Sequence, residues 1–99
     1  MNSFEKIYKV VSKIPKGKVL TYKKVAEIVG IKNPRIVGFA LHANKDIHCI
    51  PCHRVVSSKG ELTGYAFGGI KQKRKYLEKE GIKFLRDGKI NLEKYLFEI

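Results

Sequence analysis

Cys52 and His53 stand side by side in the run Ile50-Pro51-Cys52-His53-Arg54-Val55, and those residue types suit nucleophilic chemistry. A thiol attacks poorly until it loses its proton, and a nearby imidazole, guanidinium or helix N-terminus lowers its pKa. The chain has 2 cysteines, and Cys49-Ile50-Pro51-Cys52-His53 also fits three other patterns. These are the C-x-x-C-H attachment site of haem, a thioredoxin-like C-x-x-C, and a zinc site drawing on His48 and His53. Covalent haem usually takes a distal axial ligand, often methionine, and the 1 methionine is Met1. A thioredoxin-like site sits near a βαβ pattern, which the sequence lacks. A second pair of zinc ligands has only His42 as a candidate. Cys49 is therefore expected to be a small buried apolar residue.

The elements that must hold this run are legible from periodicity and caps. Ser3 is expected to cap a helix whose apolar positions are Phe4, Ile7, Tyr8, Val11 and Ile14, ended by Pro15-Lys16-Gly17. Thr21 caps a second helix from Tyr22 to Val29, terminated by Gly30. Asn33-Pro34 opens a third, through about Ala43, with Val37, Ala40, Leu41 and Asn44 on one stripe. Two short helices joined by Gly30-Ile31-Lys32-Asn33 have the outline of a helix-turn-helix over about residues 21–44, in which the second helix commonly contacts DNA. The loop that carries Cys52 spans about 50–56. Arg54-Val55-Val56 reads as a short strand before a turn at Ser57-Ser58-Lys59-Gly60. Gly64 to Gly69 reads as a loop, Ile70 to Glu80 as a helix ended by Gly81, and Phe84 to Ile90 as a tight hairpin around Asp87-Gly88. Asn91 then caps a short helix packing through Leu92, Tyr95 and Leu96. The expected fold is α-rich with minor β, a winged helix-turn-helix-like domain over residues 1–99.

Charge narrows the partner. Lysine and arginine number 21 against 9 acids, for a formal net charge of +12, and such a field favours nucleic acid or an anionic membrane surface. No apolar run approaches the ~20 residues of a membrane span. The N-terminal residues have no signal-peptide core, so a cytoplasmic protein (nuclear in a eukaryote) is expected.

Several separated segments together resemble the O6-alkylguanine-DNA alkyltransferases. Gly17-Lys18-Val19-Leu20-Thr21-Tyr22 with Val25-Ala26 is similar to the segment opening that family's helix-turn-helix. Arg35-Ile36-Val37-Gly38 with Ala40 and Asn44 resembles its recognition helix. Ile50 to Val56 matches its active-site run, Gly64-Tyr65 to Gly69 the loop over the flipped base, and Glu80-Gly81 the end of the following helix. The resemblance covers about residues 15–82, in order and at compatible spacing.

The resemblance implies direct reversal of DNA damage without metal or cofactor. Cys52 would accept the alkyl group, His53 would take its proton through a water, and Glu80 would orient His53. Asn44 would brace the turn into the active-site loop. Arg35 would fill the gap left by the extruded guanine, and Tyr22 would press on the adjacent phosphate, since chemistry on a base inside a duplex requires extrusion. Gly38 and Arg54 join these two as DNA contacts, while Val55, Tyr65 and Gly68 form the base pocket. The implied partner is double-stranded DNA containing O6-alkylguanine, bound by a monomer, with one turnover per molecule.

The sequence also departs from the family pattern. Lys45 follows Asn44 where proline is usual, and Ile36 and Phe39 stand where small residues are common, which would crowd a minor-groove approach. The family often carries a further N-terminal domain, whereas this chain begins almost directly at the catalytic one. Alkyltransferase-like proteins are similarly short and bind alkylated DNA without repairing it, with tryptophan in place of the cysteine. This chain has no tryptophan and retains Cys52. The alternative of another class is a non-catalytic lesion sensor that recruits other repair proteins.

Overall fold

A computed structural model describes residues 2–63 and 68–98. Its elements are α1 (Ser3–Val11), β1 (Leu20–Thr21), α2 (Tyr22–Val29), α3 (Arg35–Ala43), one turn of 3-10 helix (Cys52–Arg54), β2 (Val55–Val56), α4 (Gly69–Lys79) and α5 (Leu92–Tyr95). The fold is mainly helical with a small two-stranded sheet, as expected. Among the described residues, no helix is long and apolar enough to cross a membrane.

Local chemistry accounts for most boundaries. Thr21 Oγ1 accepts the Lys24 amide at 3.0 Å and so starts α2, while Gly30 ends it in the left-handed region at φ 79°, where a Cβ would be strained. Asn33 Oδ1 accepts the Arg35 amide at 3.0 Å, so its side chain serves the start of α3 as expected. The cap of α1 is corrected: Asn2, one residue before Ser3, accepts the Glu5 amide at 2.9 Å. The same helix stops at Val11, and Ile14 reaches the core from the loop beyond it.

β1 and β2 pair in parallel, Leu20 opposite Val55 and Thr21 opposite Val56. Successive side chains of a strand point to opposite faces, so this small sheet divides two cores. Leu20 and Val55 join Ile7, Val25, Val37 and Ala40 beneath α1, α2 and α3. Val56, with Val19 just before β1, joins Leu77, Ile82, Ile90 and Tyr95 between α4 and the C-terminal segment. That segment extends the sheet: the Val19 amide donates to the Tyr95 carbonyl at 2.9 Å and the Phe97 amide to the Val19 carbonyl at 2.8 Å. Gly60 lets the Ser57–Gly60 turn approach Ile90, whose amide donates to the Gly60 carbonyl at 2.8 Å. The expected hairpin is present, with Phe84 bridged to Ile90, and Asn91 caps α5 through the Glu93 amide at 3.1 Å.

Candidate active site and nucleic-acid interface

The Cys52 turn is shaped by Pro51 and held by Asn44. Pro51, at φ −76° and ψ 71°, makes an inverse γ-turn in which the Cys52 amide donates to the Ile50 carbonyl at 2.8 Å. The Arg54 amide donates to the Pro51 carbonyl at 2.9 Å, closing the 3-10 turn that delivers the chain into β2. Asn44, buried at the end of α3, donates from Nδ2 to the Ile50 carbonyl at 3.0 Å and accepts the Asp46 amide on Oδ1 at 3.0 Å. One side chain thus ties the last turn of α3 to both ends of the loop leading to Cys52.

Cys52 itself is buried in the first core cluster. Beside it, His53 Nε2 lies 2.7 Å from Glu80 Oε2. Glu80 terminates α4 just before Gly81, which adopts φ 95°. Burial is the largest influence on His53 and lowers its pKa, and the hydrogen bond it donates to Glu80 opposes this without reversing it. The imidazole is therefore neutral at physiological pH and able to accept a proton. Burial by itself would raise the pKa of Glu80, but hydrogen bonds from Arg54 and His53 outweigh it and hold the carboxyl below its ordinary value.

The expectation that Arg54 contacts DNA is corrected. Its guanidinium points inward, with Nε on Glu80 Oε1 at 2.9 Å, Nη2 on Oε2 at 2.7 Å and Nη1 on the Ile14 carbonyl at 2.7 Å. Its side chain is 13% exposed. A planar fork matched to a carboxylate is a strong, specific pairing, and here it fastens Glu80 beside His53.

Lys73 is the functional candidate missed in the sequence. It is 1% exposed on α4, and its ammonium lies 3.3 Å from the Tyr22 hydroxyl and 5.6 Å from the centre of that ring. Burial lowers its pKa to about 8, and negative charge on Cys52 acts in the opposite direction. A negative charge on Cys52 would in turn be favoured by this ammonium. The Tyr22 hydroxyl also accepts from Thr63 Oγ1 at 2.8 Å, so Tyr22 links α2, α4 and the loop after β2. The signal was available: Ile70, Lys73 and Leu77 follow helical spacing, which puts a lysine in the apolar stripe of α4.

Arg35 is exposed at the start of α3, and Gly38, one turn on, is half-buried. Among the described residues a Cβ at Gly38 would meet nothing within 4 Å, so their packing does not demand glycine there. Ile36 is half-buried and packs against the first core cluster, whereas Phe39 is 64% exposed. Val55 is wholly buried, with its side chain in the core, and Gly68 precedes α4 at φ 112°. Tyr65 and the rest of Gly64–Phe67 lie outside the described residues. Cys49 is exposed and not, as expected, buried. Its backbone amide donates to Asp46 Oδ1 at 3.1 Å, and a hydrogen bond between its thiol and Asp46 raises its pKa. Cys49 is thus a protonated surface thiol and Cys52 a buried one.

Comparison with known proteins agrees with this geometry. Residues 2–82 match the family model of the 6-O-methylguanine DNA methyltransferase DNA-binding domain. The chain is 49% identical over 77 residues to a methylated-DNA–protein-cysteine methyltransferase of Saccharolobus islandicus, covering 78% of this chain and 49% of that protein. It is 52% identical over 81 residues to the protein of the same name from Metallosphaera sedula, covering 81% and 50%. The chain thus spans about half the length of these curated relatives. Among solved structures, S. pombe Atl1 in complex with damaged DNA containing O6-carboxymethylguanine superposes with a TM-score of 0.84 at 32% identity, over 97% of this chain and 94% of that one. The Mycobacterium tuberculosis OGT–DNA complex gives 0.75 at 37% identity, over 81% and 50%. The chain belongs to the 6-O-methylguanine DNA methyltransferase family, and its fold is that family's helix-turn-helix DNA-binding fold.

Proposed function

We propose that residues 1–99 act as one catalytic and DNA-binding unit that repairs O6-alkylguanine by transferring the alkyl group to Cys52. The observation that carries this reading is the 2.7 Å contact between His53 Nε2 and Glu80, adjacent in sequence to a buried thiol. With Nε2 engaged by the carboxylate, His53 accepts the Cys52 proton at Nδ1 through a water. The thiolate sulfur then attacks the alkyl carbon in line, forming the S–C bond as the C–O6 bond breaks. The electron pair leaves on guanine O6, and guanine recovers a proton. Lys73 stabilises the thiolate before attack. A histidine oriented by a carboxylate is suited to the base role, and the thioether product is not readily reversed, so each molecule acts once. Arg35 and Tyr22 serve extrusion of the nucleotide, with Gly38 at the groove surface and Val55, Tyr65 and Gly68 around the base.

A lesion sensor is the second reading, favoured by the nearly end-to-end match with S. pombe Atl1, which includes residues beyond the family model. Intact-protein mass spectrometry after mixing with a duplex bearing one O6-methylguanine separates the two. A gain of one methyl group, mapped to Cys52 and absent from Cys52→Ser, is expected. Tight lesion binding with no mass change would establish the sensor.

A further inference from the structure

The exposed face of α3 is built unlike the outer face of an ordinary surface helix. Its buried stripe is Val37, Ala40, Leu41 and Asn44. Arg35, Gly38, Phe39, His42 and Ala43 form a second stripe at i, i+3, i+4, i+7 and i+8, lining a shallow groove of about 550 Å³. An outward stripe normally carries long polar side chains. This one carries a phenylalanine that is 64% exposed, next to a glycine whose missing Cβ leaves open space. Glycine inside a helix costs about 1 kcal/mol relative to alanine, and no neighbour among the described residues requires it here. The face is shaped for something outside the chain.

Charge complementarity selects a polyanion. α3 contains no acidic residue, Arg35 and His42 both line the groove, and the chain carries +12. A helix with its side chains is about 10–12 Å across, while the minor groove of B-DNA is about 6 Å wide. Entry therefore needs both a thin helix face, which Gly38 provides, and an opened groove, which apolar side chains driven between base steps provide.

We infer that Phe39 is a second wedge, entering the minor groove beside Arg35 and unstacking a neighbouring base step. This rests on the repair reading above and adds to it a residue that sets how far the duplex is deformed. Four residues of helix advance about 6 Å, close to two base-pair steps of about 3.4 Å each. With the helix lying along the groove, Arg35 takes the place of the extruded guanine, and Phe39 acts about two steps away. Its aromatic face tolerates any base pair, so the wedge adds affinity and bending without sequence preference. The departure that would crowd the groove becomes the means of opening it.

The test places 2-aminopurine, which brightens on unstacking, at successive positions from a single O6-methylguanine in a duplex mixed with the full chain. Wild type brightens the probe about two steps away; Phe39→Ala loses that signal and binds roughly tenfold more weakly, while Phe39→Leu keeps most of both. The salt dependence of binding is unchanged in Phe39→Ala, since no charge is lost, whereas Arg35→Ala lowers the slope by about one ion. A Phe39→Ala protein that matches wild type in affinity and probe signal, while wild type still binds and is methylated, overturns the wedge and leaves the repair reading standing. Loss of a DNA-free dimer as the sole effect, seen by sedimentation, overturns it in favour of a second copy on this face. Wild-type protein that neither binds nor is methylated overturns both.

Discussion

Arg54 and Glu80 meet in a two-pronged ion pair, Nε to Oε1 at 2.9 Å and Nη2 to Oε2 at 2.7 Å, and the carboxylate so held is the one that faces His53. Arg54 also donates to the Ile14 carbonyl at 2.7 Å. Gly17, at φ 81°, lets the same loop pass close to the Glu80 backbone carbonyl, where a Cβ would stand 3.3 Å away. The loop after α1, the end of α4 and the turn after Cys52 are thus fastened at one point. The carboxylate beside His53 is itself held by the residue that follows His53 in sequence.

Glu80→Gln tests both roles. The amide keeps the shape but removes the charge that Arg54 and His53 share. Breaking one side of a buried pair costs about 3 kcal/mol, which urea denaturation would read. Methyl transfer slows by at least about 100-fold if His53 is the base, measured in single-turnover mixing on an O6-methylguanine duplex. In wild type, the depressed Glu80 pKa contributes stability that is complete above its ordinary value of 4.5 and is lost as pH falls through the lower folded value. His53 loses stability in the same direction: the unfolded chain takes up its proton near 6.5, whereas the folded one does so only at lower pH. The acid limb of stability therefore begins just below pH 6.5 and is shallower in Glu80→Gln below pH 4.5. Equal limbs would remove Glu80 from the account.

Asn44→Ala tests the brace between α3 and the active-site loop. Loss of Nδ2 leaves the Ile50 carbonyl without that donor, and loss of Oδ1 releases the Asp46 amide. The expected cost is about 1–2 kcal/mol. Because Asn44 lies on the buried stripe of α3, away from Arg35 and Phe39, duplex affinity should hold while transfer slows. Affinity falling in parallel with rate would mean that the substitution disturbs α3 itself.

Much of this arrangement is legible in the chain because it is local. Thr21, Gly30, Asn33 and Asn91 act within four residues of themselves, and their capping and terminating chemistry reads directly from sequence. The Cys52-His53 pair is likewise adjacent. What was hidden depends on contacts across the fold. Arg54 next to His53 reads as one more cation in a basic chain until Glu80, 26 residues on, is seen to claim it. β2 reads from its β-branched run, but β1, Leu20–Thr21, is too short for any periodicity, and its parallel pairing with Val55–Val56 joins segments distant in sequence. Lys73 is masked by its own helix, since α4 contains Lys71, Lys75, Lys79 and Arg74 besides, and only its place in the apolar stripe sets it apart.

Lys73→Met tests the buried ammonium. In the folded chain Lys73 loses its proton near pH 8, against 10.5 for an ordinary lysine. Between those values the unfolded state holds the proton and the folded state does not, so wild-type stability rises with pH across that window. At about 1.4 kcal/mol per pKa unit the rise is on the order of 3 kcal/mol. Methionine fills similar volume and carries no charge, so Lys73→Met should be more stable than wild type at pH 7 by a comparable amount. Its stability should change less between pH 8 and 10.5, as read by chemical denaturation across that range. The gain comes with a functional loss. Without the cation the Cys52 thiolate is less populated, and transfer at pH 7 slows about tenfold for each pKa unit surrendered. Raising the pH supplies thiolate by other means, so the rate deficit of Lys73→Met narrows toward pH 9. A variant that is both less stable and equally slow at every pH would show that Lys73 serves packing through Tyr22 and not the charge on Cys52.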